Sequence, residues 1–204
     1  MQLRFATGCT AEEYVRQKAW QWATLFHCPL HPEGGCGFAR HTPYSRVEPP
    51  GAWVARYYCP KGHITFSLLP DCLASRLSST LWEVEQVVTK VEQAASLESA
   101  SEEVRRHTVL LPGAVRWVRR RVRLVHAALV SIIGLLPDIL AGCQPTLLGF
   151  RARLGVEAVL PRLRELAAAH LANLPPPLGF GPRPVPRKRR PAHSQQEEGA
   201  DPSG

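Results

Sequence analysis

At 204 residues the chain has room for one ordinary domain or two small ones. Its 45% hydrophobic content supplies a core, while 7% aromatics with 19 prolines and 15 glycines points to compact pieces joined by turns. The net charge of +8 is not spread evenly: five arginines fall between residues 116 and 123, and no acid lies between 112 and 130, which favours a polyanionic partner and excludes a uniformly basic surface.

Taken in chain order, the first element is a helix. Thr10 and Glu13 make a capping box, and Tyr14, Val15, Ala19, Trp22, Ala23 and Phe26 follow at helical spacing, so residues 1–26 read as an N-terminal amphipathic helix. From 27 to 72 the pattern turns to Pro/Gly punctuation and β-type residues. Tyr44–Val47 and Trp53–Tyr58 alternate like strands around the turn Glu48-Pro49-Pro50-Gly51, and Ile64–Ser67 reads as a third strand.

The same segment carries two clusters of soft ligands. One begins at Cys28-Pro29 and holds His31 and Cys36; the other is Cys59-Pro60-Lys61-Gly62-His63. Tight turns that open on Cys-Pro and end on a second soft ligand suit one structural Zn²⁺, which takes four Cys or His donors. Five residues compete for four places. Cys28, Cys36, Cys59 and His63 are the expected set, with His31 as the alternative to Cys36, because thiolate binds zinc strongly and Gly37 after Cys36 frees backbone N–H groups for its sulfur. His27 and His41 read as exposed loop or strand residues, and Glu33 lies near enough in sequence to be the general base that a catalytic zinc would need. Four available soft ligands favour a closed, non-catalytic site.

Residues 73–174 read as a helical domain. Thr80 and Glu83 form a second capping box ahead of Leu81, Val84, Val87, Val88, Val91 and Ala95; a short helix covers Ser99–His107; and a longer one runs from Pro112 to about Leu136. On that long helix Arg116, Arg119, Arg120 and Arg123 share one face, Val115, Val118, Val122, Val125 and Leu129 hold the other, and Trp117 is placed to stack on Arg121. The apolar run Leu124–Gly142 is broken by His126, Ser131, Pro137 and Asp138 and reads as a core helix rather than a membrane span. Leu147–Leu174 gives one or two helices interrupted near Gly155 and Pro161, and 175–204, with Arg187-Lys188-Arg189-Arg190, reads as a disordered Pro-rich basic tail. The fold class expected is therefore α+β: a small zinc-ribbon β-module preceded by a helix and followed by helices. Cys9, Cys72 and Cys143 read as small buried apolar residues. Residues 1–11 have no apolar leader stretch and the cysteines interleave with histidines, so a reduced, cytoplasmic location is expected over a secreted disulfide scaffold.

The stretch Arg56-Tyr57-Tyr58-Cys59-Pro60-Lys61-Gly62-His63-Ile64-Thr65-Phe66-Ser67-Leu68-Leu69-Pro70-Asp71 resembles the end of the zinc-ribbon domain at the N-terminus of bacterial insertion-sequence transposases. There a knuckle is followed by Thr-Phe-Ser, Leu-Pro and a helical segment. The likeness covers about residues 27–90 and implies binding to transposon-end DNA. The chain departs from that family after residue 70: it has no alternating strand set for an RNase H-like catalytic domain, and Asp138, Glu157 and Glu165 lie in helical context. The expectation is a non-enzymatic bacterial DNA-binding protein, a stand-alone relative or remnant of a mobile element, contacting DNA through Arg116, Arg119, Arg120, Arg123, Arg46, Arg56 and Lys61, with Arg40 as a further candidate. No membrane and no small-molecule substrate is expected. The alternatives are a protein–protein adaptor for a recombinase or transposase, and a zinc-dependent hydrolase or nuclease.

Overall fold

The computed structural model describes residues 1–105 and 111–181, with backbone alone at 111 and 112. It is an α+β protein in which a four-stranded sheet leads into a group of helices. Strands β2 (Ala39–Ser45), β3 (Trp53–Cys59) and β4 (Ile64–Pro70) form an antiparallel meander, and β1 (Gln2–Phe5) joins the free edge of β4 in parallel, giving the order β1-β4-β3-β2. The Glu48–Gly51 turn closes as its residues require: Ala52 N–H donates to Pro49 C=O at 3.1 Å, Arg46 N–H to Ala52 C=O at 2.8 Å, and Gly51 takes a left-handed φ of 79°.

The N-terminal segment differs from its expected form. Both halves of the Thr10/Glu13 capping box are present, but α1 covers only Ala11–Arg16. Lys18 enters the left-handed region at φ 51° and ends the helix; a 3₁₀ turn follows at Ala19–Gln21. This redirection puts Ala23, Trp20 and Leu25 under the ribbon and leaves Trp22 and Phe26 55% and 83% exposed, so the apolar periodicity there did not belong to one helix face. Strand β1 escaped the sequence pattern because four residues are too few to show alternation. It is fixed by tertiary partners: Arg4 grips the Asp71 carboxylate with Nε at 2.8 Å and Nη2 at 3.0 Å, and the Met1 ammonium donates to Thr65 C=O at 2.6 Å.

The helices are α2 (Leu81–Gln93), α3 (Leu97–Val104), α4 (Leu111–Leu135), α5 (Pro137–Leu140), α6 (Leu147–Leu154) and α7 (Val159–Leu166). Their shared core is built from α2 residues Leu81, Val84 and Val88, α4 residues Val125, Leu129 and Ile132, and Phe150, Leu160 and Leu163. Among the described residues no helix is long and apolar enough to cross a membrane. Gly155 at φ 63° closes α6, and Pro161 sits in the first turn of α7, where its missing N–H costs no helical bond.

Two α2 glutamates add caps to neighbouring helices: to α7, whose N-cap Ala158 has no side-chain acceptor, and to α6, whose own Thr146 Oγ1 takes only the Gly149 N–H. Buried Glu85 accepts from Val159 N–H at 3.0 Å, Leu160 N–H at 2.9 Å and Arg151 at 3.1 Å. Glu92 accepts from Leu147 and Leu148 N–H at 2.8 and 3.0 Å. Each carboxylate thus meets the positive end of a helix and satisfies its free donors.

A fully buried arginine joins sheet to helices. From α7, Arg164 donates to the carbonyls of Asp71 (3.0 Å) and Leu73 (2.6 Å) at the end of β4, and to Pro177 (2.6 Å) and Leu178 (3.0 Å). Burial pulls its guanidinium down to about 10, so it stays charged at neutral pH. The tail expected to start at 175 is corrected by these contacts. Pro176, Pro177, Leu178, Gly179 and Gly181 are buried, Ser75 Oγ donates to Gly179 C=O, and Leu178 enters the helical core, so the proline run packs against the protein. Residues 182–204, including Arg187–Arg190, lie outside the described residues, as does the end of the expected Ser99–His107 helix, Arg106 and His107.

Arg164→Leu removes the donor from several buried carbonyls at once, and an unmet buried polar group costs about 1–3 kcal/mol. Thermal or denaturant unfolding of this variant should show a loss of about 3 kcal/mol or more, and a chain ending at residue 174 should be less stable than one ending at 181. Wild-type stability in both would remove this joint from the account.

Candidate metal centre

The ribbon folds its two ligand clusters onto one spot. In the first arm His31 N–H donates to Cys28 C=O at 3.1 Å and Gly34 N–H to His31 C=O at 3.0 Å, two successive tight turns. Gly34, Gly35 and Gly37 then all take left-handed φ values (84°, 73° and 68°), which wrap the chain back so that Cys36 faces Cys28. The second arm is the β3–β4 turn. Cys59 ends β3 on the face shared with Ala55 and Tyr57, and the Gly62 N–H donates to its Sγ at 3.3 Å.

The outcome is a group of Cys28, His31, Cys36 and Cys59 whose donor atoms lie within 4.8 Å of one another. His31 Nδ1 stands 3.6 Å from Cys28 Sγ and 3.4 Å from Cys59 Sγ. A tetrahedral ion with sulfur at about 2.3 Å and nitrogen at about 2.0 Å holds its ligands roughly 3.5–3.8 Å apart, so the arrangement could hold a metal ion with little adjustment. All three cysteines are free thiols and buried, His31 is half-buried, and Phe38 stacks on Tyr57 at 5.3 Å to shield the site.

The electrostatics suit a cation. Burial raises the Cys28 thiol, but hydrogen bonds from the His31 ring and from the Leu30 N–H outweigh it and draw the group down to about 6. Burial pushes its neighbour Cys59 up, against the Gly62 N–H, and the adjacent thiols add to the rise. Two sulfurs this close resist ionising together until a positive charge sits between them.

The ligand set expected from sequence needs one exchange. Cys28, Cys36 and Cys59 come together, but the fourth member is His31 and not His63. His63 closes the turn after Cys59 with a φ of 50°, and its exposed ring sits with Nδ1 3.4 Å from Tyr58 Oη. Tyr58 and Cys59 are adjacent on β3 and so point to opposite faces, which puts His63 on the wrong side. The expectation ranked Cys36 against His31 for one place; the glycine wrap lets both in. The Cys28-x-x-His31 spacing was the available signal. Exposed Glu33 is not among the four, and Cys9, Cys72 and Cys143 lie elsewhere, half-buried, with burial raising the Cys72 thiol to about 12.

The basic residues expected to meet DNA divide into two kinds. Arg46 is a structural tie, its Nη2 donating to the carbonyls of Ala74 and Leu77. Arg56 bonds Thr42 C=O at 2.8 Å and lies over the Tyr44 ring, and Lys61 is exposed in the turn. On α4, Arg116, Arg119, Arg120 and Arg123 are all exposed, and none has a carboxylate partner among the described residues. Arg40 is also exposed, with its Nη2 on Trp20 C=O. No protein-family model matches the chain, and comparisons with curated proteins and with solved structures give no significant match.

Metal content measured on purified variants discriminates the ligand sets. His63→Ala should keep one ion per chain, whereas Cys59→Ser and His31→Ala should lose or weaken it, with Cys59→Ser also unfolding the ribbon because metal binding supplies folding energy on the order of 10 kcal/mol in small modules. Metal lost from His63→Ala and retained by His31→Ala would reverse the assignment.

Proposed function

We propose that the chain is a non-catalytic, zinc-stabilised protein that binds DNA, with the zinc held by Cys28, His31, Cys36 and Cys59. Three thiolates and one imidazole are a donor set typical of structural zinc, and four protein ligands leave no open position for a substrate or activated water. This weighs against the hydrolase or nuclease alternative. A thiolate site of this kind needs a reducing compartment, in keeping with a cytoplasmic protein.

The observation that carries the DNA reading is the arginine face of α4. Four exposed guanidinium groups recur at three- and four-residue steps on a helix whose other side is anchored by Val118, Val125, Leu129 and Ile132. A solvated surface usually interleaves acids with its bases; this one does not, and such a stripe suits neutralisation of successive phosphates. On the ribbon, Arg40, Arg56, Lys61 and the half-exposed Tyr58 offer a second contact region. The likeness of residues 56–71 to transposase zinc ribbons points the same way, toward a mobile-element DNA end.

The adaptor reading retains one specific support: Trp22, Phe26 and Leu30, exposed by 55%, 83% and 43%, border the metal loop, and apolar side chains left bare beside a rigid module suit a protein partner. Salt dependence separates the two. On duplex DNA the slope of log affinity against log salt falls by about 0.9 for each phosphate that the protein no longer neutralises. Changing Arg116, Arg119 and Arg123 to Ala should therefore weaken duplex binding and flatten the slope by up to about three such steps in a protein that still folds. An unchanged slope would move the DNA-binding surface to the ribbon, and a parent protein with no DNA affinity would favour the adaptor.

A further inference from the structure

One arginine of α4 is turned inward. Arg121 is only 3% exposed, yet no described carboxylate pairs with it. Its guanidinium lies 3.2 Å from the centre of the Trp117 ring, Nη2 donates to Ser79 Oγ at 2.9 Å, and Nε has no acceptor. Burial lowers this guanidinium to about 10, with the neighbouring Arg120 adding to the effect, so it remains cationic at neutral pH. A buried charge with an unmet donor is costly unless something else compensates it.

A cleft of about 550 Å³ lies beside it, lined by Arg76, Ser78, Arg116, Trp117, Arg120 and Arg121, with Leu77 and Gly113 completing the wall. Among the described residues it is lined by four arginines and no acid. Arg76 reaches it from the loop before α2, from a left-handed backbone (φ 56°) that a side-chain-bearing residue seldom adopts, and its buried Nε is also without an acceptor. Arg120 Nη2 and Arg76 C=O approach to 3.4 Å, which ties the helix to that loop. Acids do line the neighbouring groove of about 520 Å³, where Glu48, Glu83 and Glu103 occur with Trp82, so the cationic character belongs to the cleft.

We propose that this cleft is a phosphate site, in which Arg76, Arg116, Arg120 and Arg121 hold one phosphoryl group. A carboxylate offers two oxygens and one charge. A terminal phosphoryl group offers three acceptor oxygens and up to two charges, which suits a cleft lined by four arginines better. The neighbouring groove shares Ser78, Trp117 and Arg121 with the cleft and gives room to whatever carries the phosphate. The site goes beyond the DNA reading: two of its four arginines, Arg76 and Arg121, are not on the exposed α4 face, and the cleft can hold phosphate whether or not that face meets a duplex.

The test is thermal unfolding of the full metal-loaded chain titrated with inorganic phosphate against chloride at equal ionic strength. Saturable stabilisation is expected from phosphate alone, with apparent affinity about tenfold weaker in Arg76→Gln and Arg121→Gln and unchanged in Arg16→Gln, an exposed arginine at the end of α1. Should Arg121→Gln fail to fold, Arg76→Gln decides. Phosphate acting no better than chloride, or an equal loss in Arg16→Gln, overturns the site. A short oligonucleotide with and without a 5′-phosphate then finds the source. Tighter binding of the phosphorylated form, displaced by free phosphate, assigns a nucleic-acid end; phosphate bound with no oligonucleotide binding assigns a small phosphorylated ligand; equal binding of the two forms, displaced by free phosphate, means that a diester with two free oxygens suffices and overturns the terminal phosphoryl site. Phosphate binding by a protein with no duplex affinity leaves the cleft standing and removes the DNA reading.

Discussion

Three thiols and an imidazole brought within 4.8 Å of one another are the constraint on which the ribbon depends. Its own core is small: Ala23, Ala55, Tyr57, Phe66 and Leu68 together with the three cysteines, and so many soft donors in so few residues make sense as a metal-organised unit. The sheet does the positioning. Strand β3 delivers Cys59, the β3–β4 turn aims the Gly62 N–H at its sulfur, and the glycine-wrapped loop before β2 brings the other three donors to meet it. The same constraint explains why the loop carries left-handed glycines: residues with a Cβ would not reverse the chain so readily in so few positions.

Beyond the ribbon, the molecule is held by polar groups buried at joints. Arg164 collects carbonyls from the end of β4 and from the 175–181 segment, and Glu85 and Glu92 collect the free N–H groups at the starts of α7 and α6. Such groups are tolerated in a core because nearly every donor or acceptor around them is used, and they specify one arrangement of helices where apolar packing alone would allow several. The consequence for function is that α4 is packed against α2 and α3 with its arginines facing out, Arg121 excepted. That exception separates a surface able to meet an extended polyanion from a cleft able to hold a single anion.

Local signals were legible in the sequence, and long-range ones were not. The capping boxes at Thr10 and Thr80 formed in full, the Pro-Pro-Gly turn made the hairpin, and Trp117 met Arg121 one turn on, because each depends only on residues a few positions apart. Strand β1 depends on β4, more than sixty residues away, for both its pairing and the Arg4–Asp71 clamp. The 175–181 segment has the composition of a solvated tail, yet Arg164 and Ser75 recruit its carbonyls. At the metal centre, spacing alone found the five candidate ligands; choosing His31 over His63 needed the side of β3 on which each ring emerges, which sequence spacing does not state.

The proposed zinc at Cys28, His31, Cys36 and Cys59 is tested most directly by its immediate surroundings. X-ray absorption at the zinc edge on the purified protein reads ligand type and distance directly. The account predicts three sulfurs at about 2.3 Å and one nitrogen at about 2.0–2.1 Å. A coordination sphere of two sulfurs and two nitrogens, or one that includes a water oxygen, would contradict the closed Cys28–His31–Cys36–Cys59 site and reopen both the place of His63 and the case for chemistry at the metal.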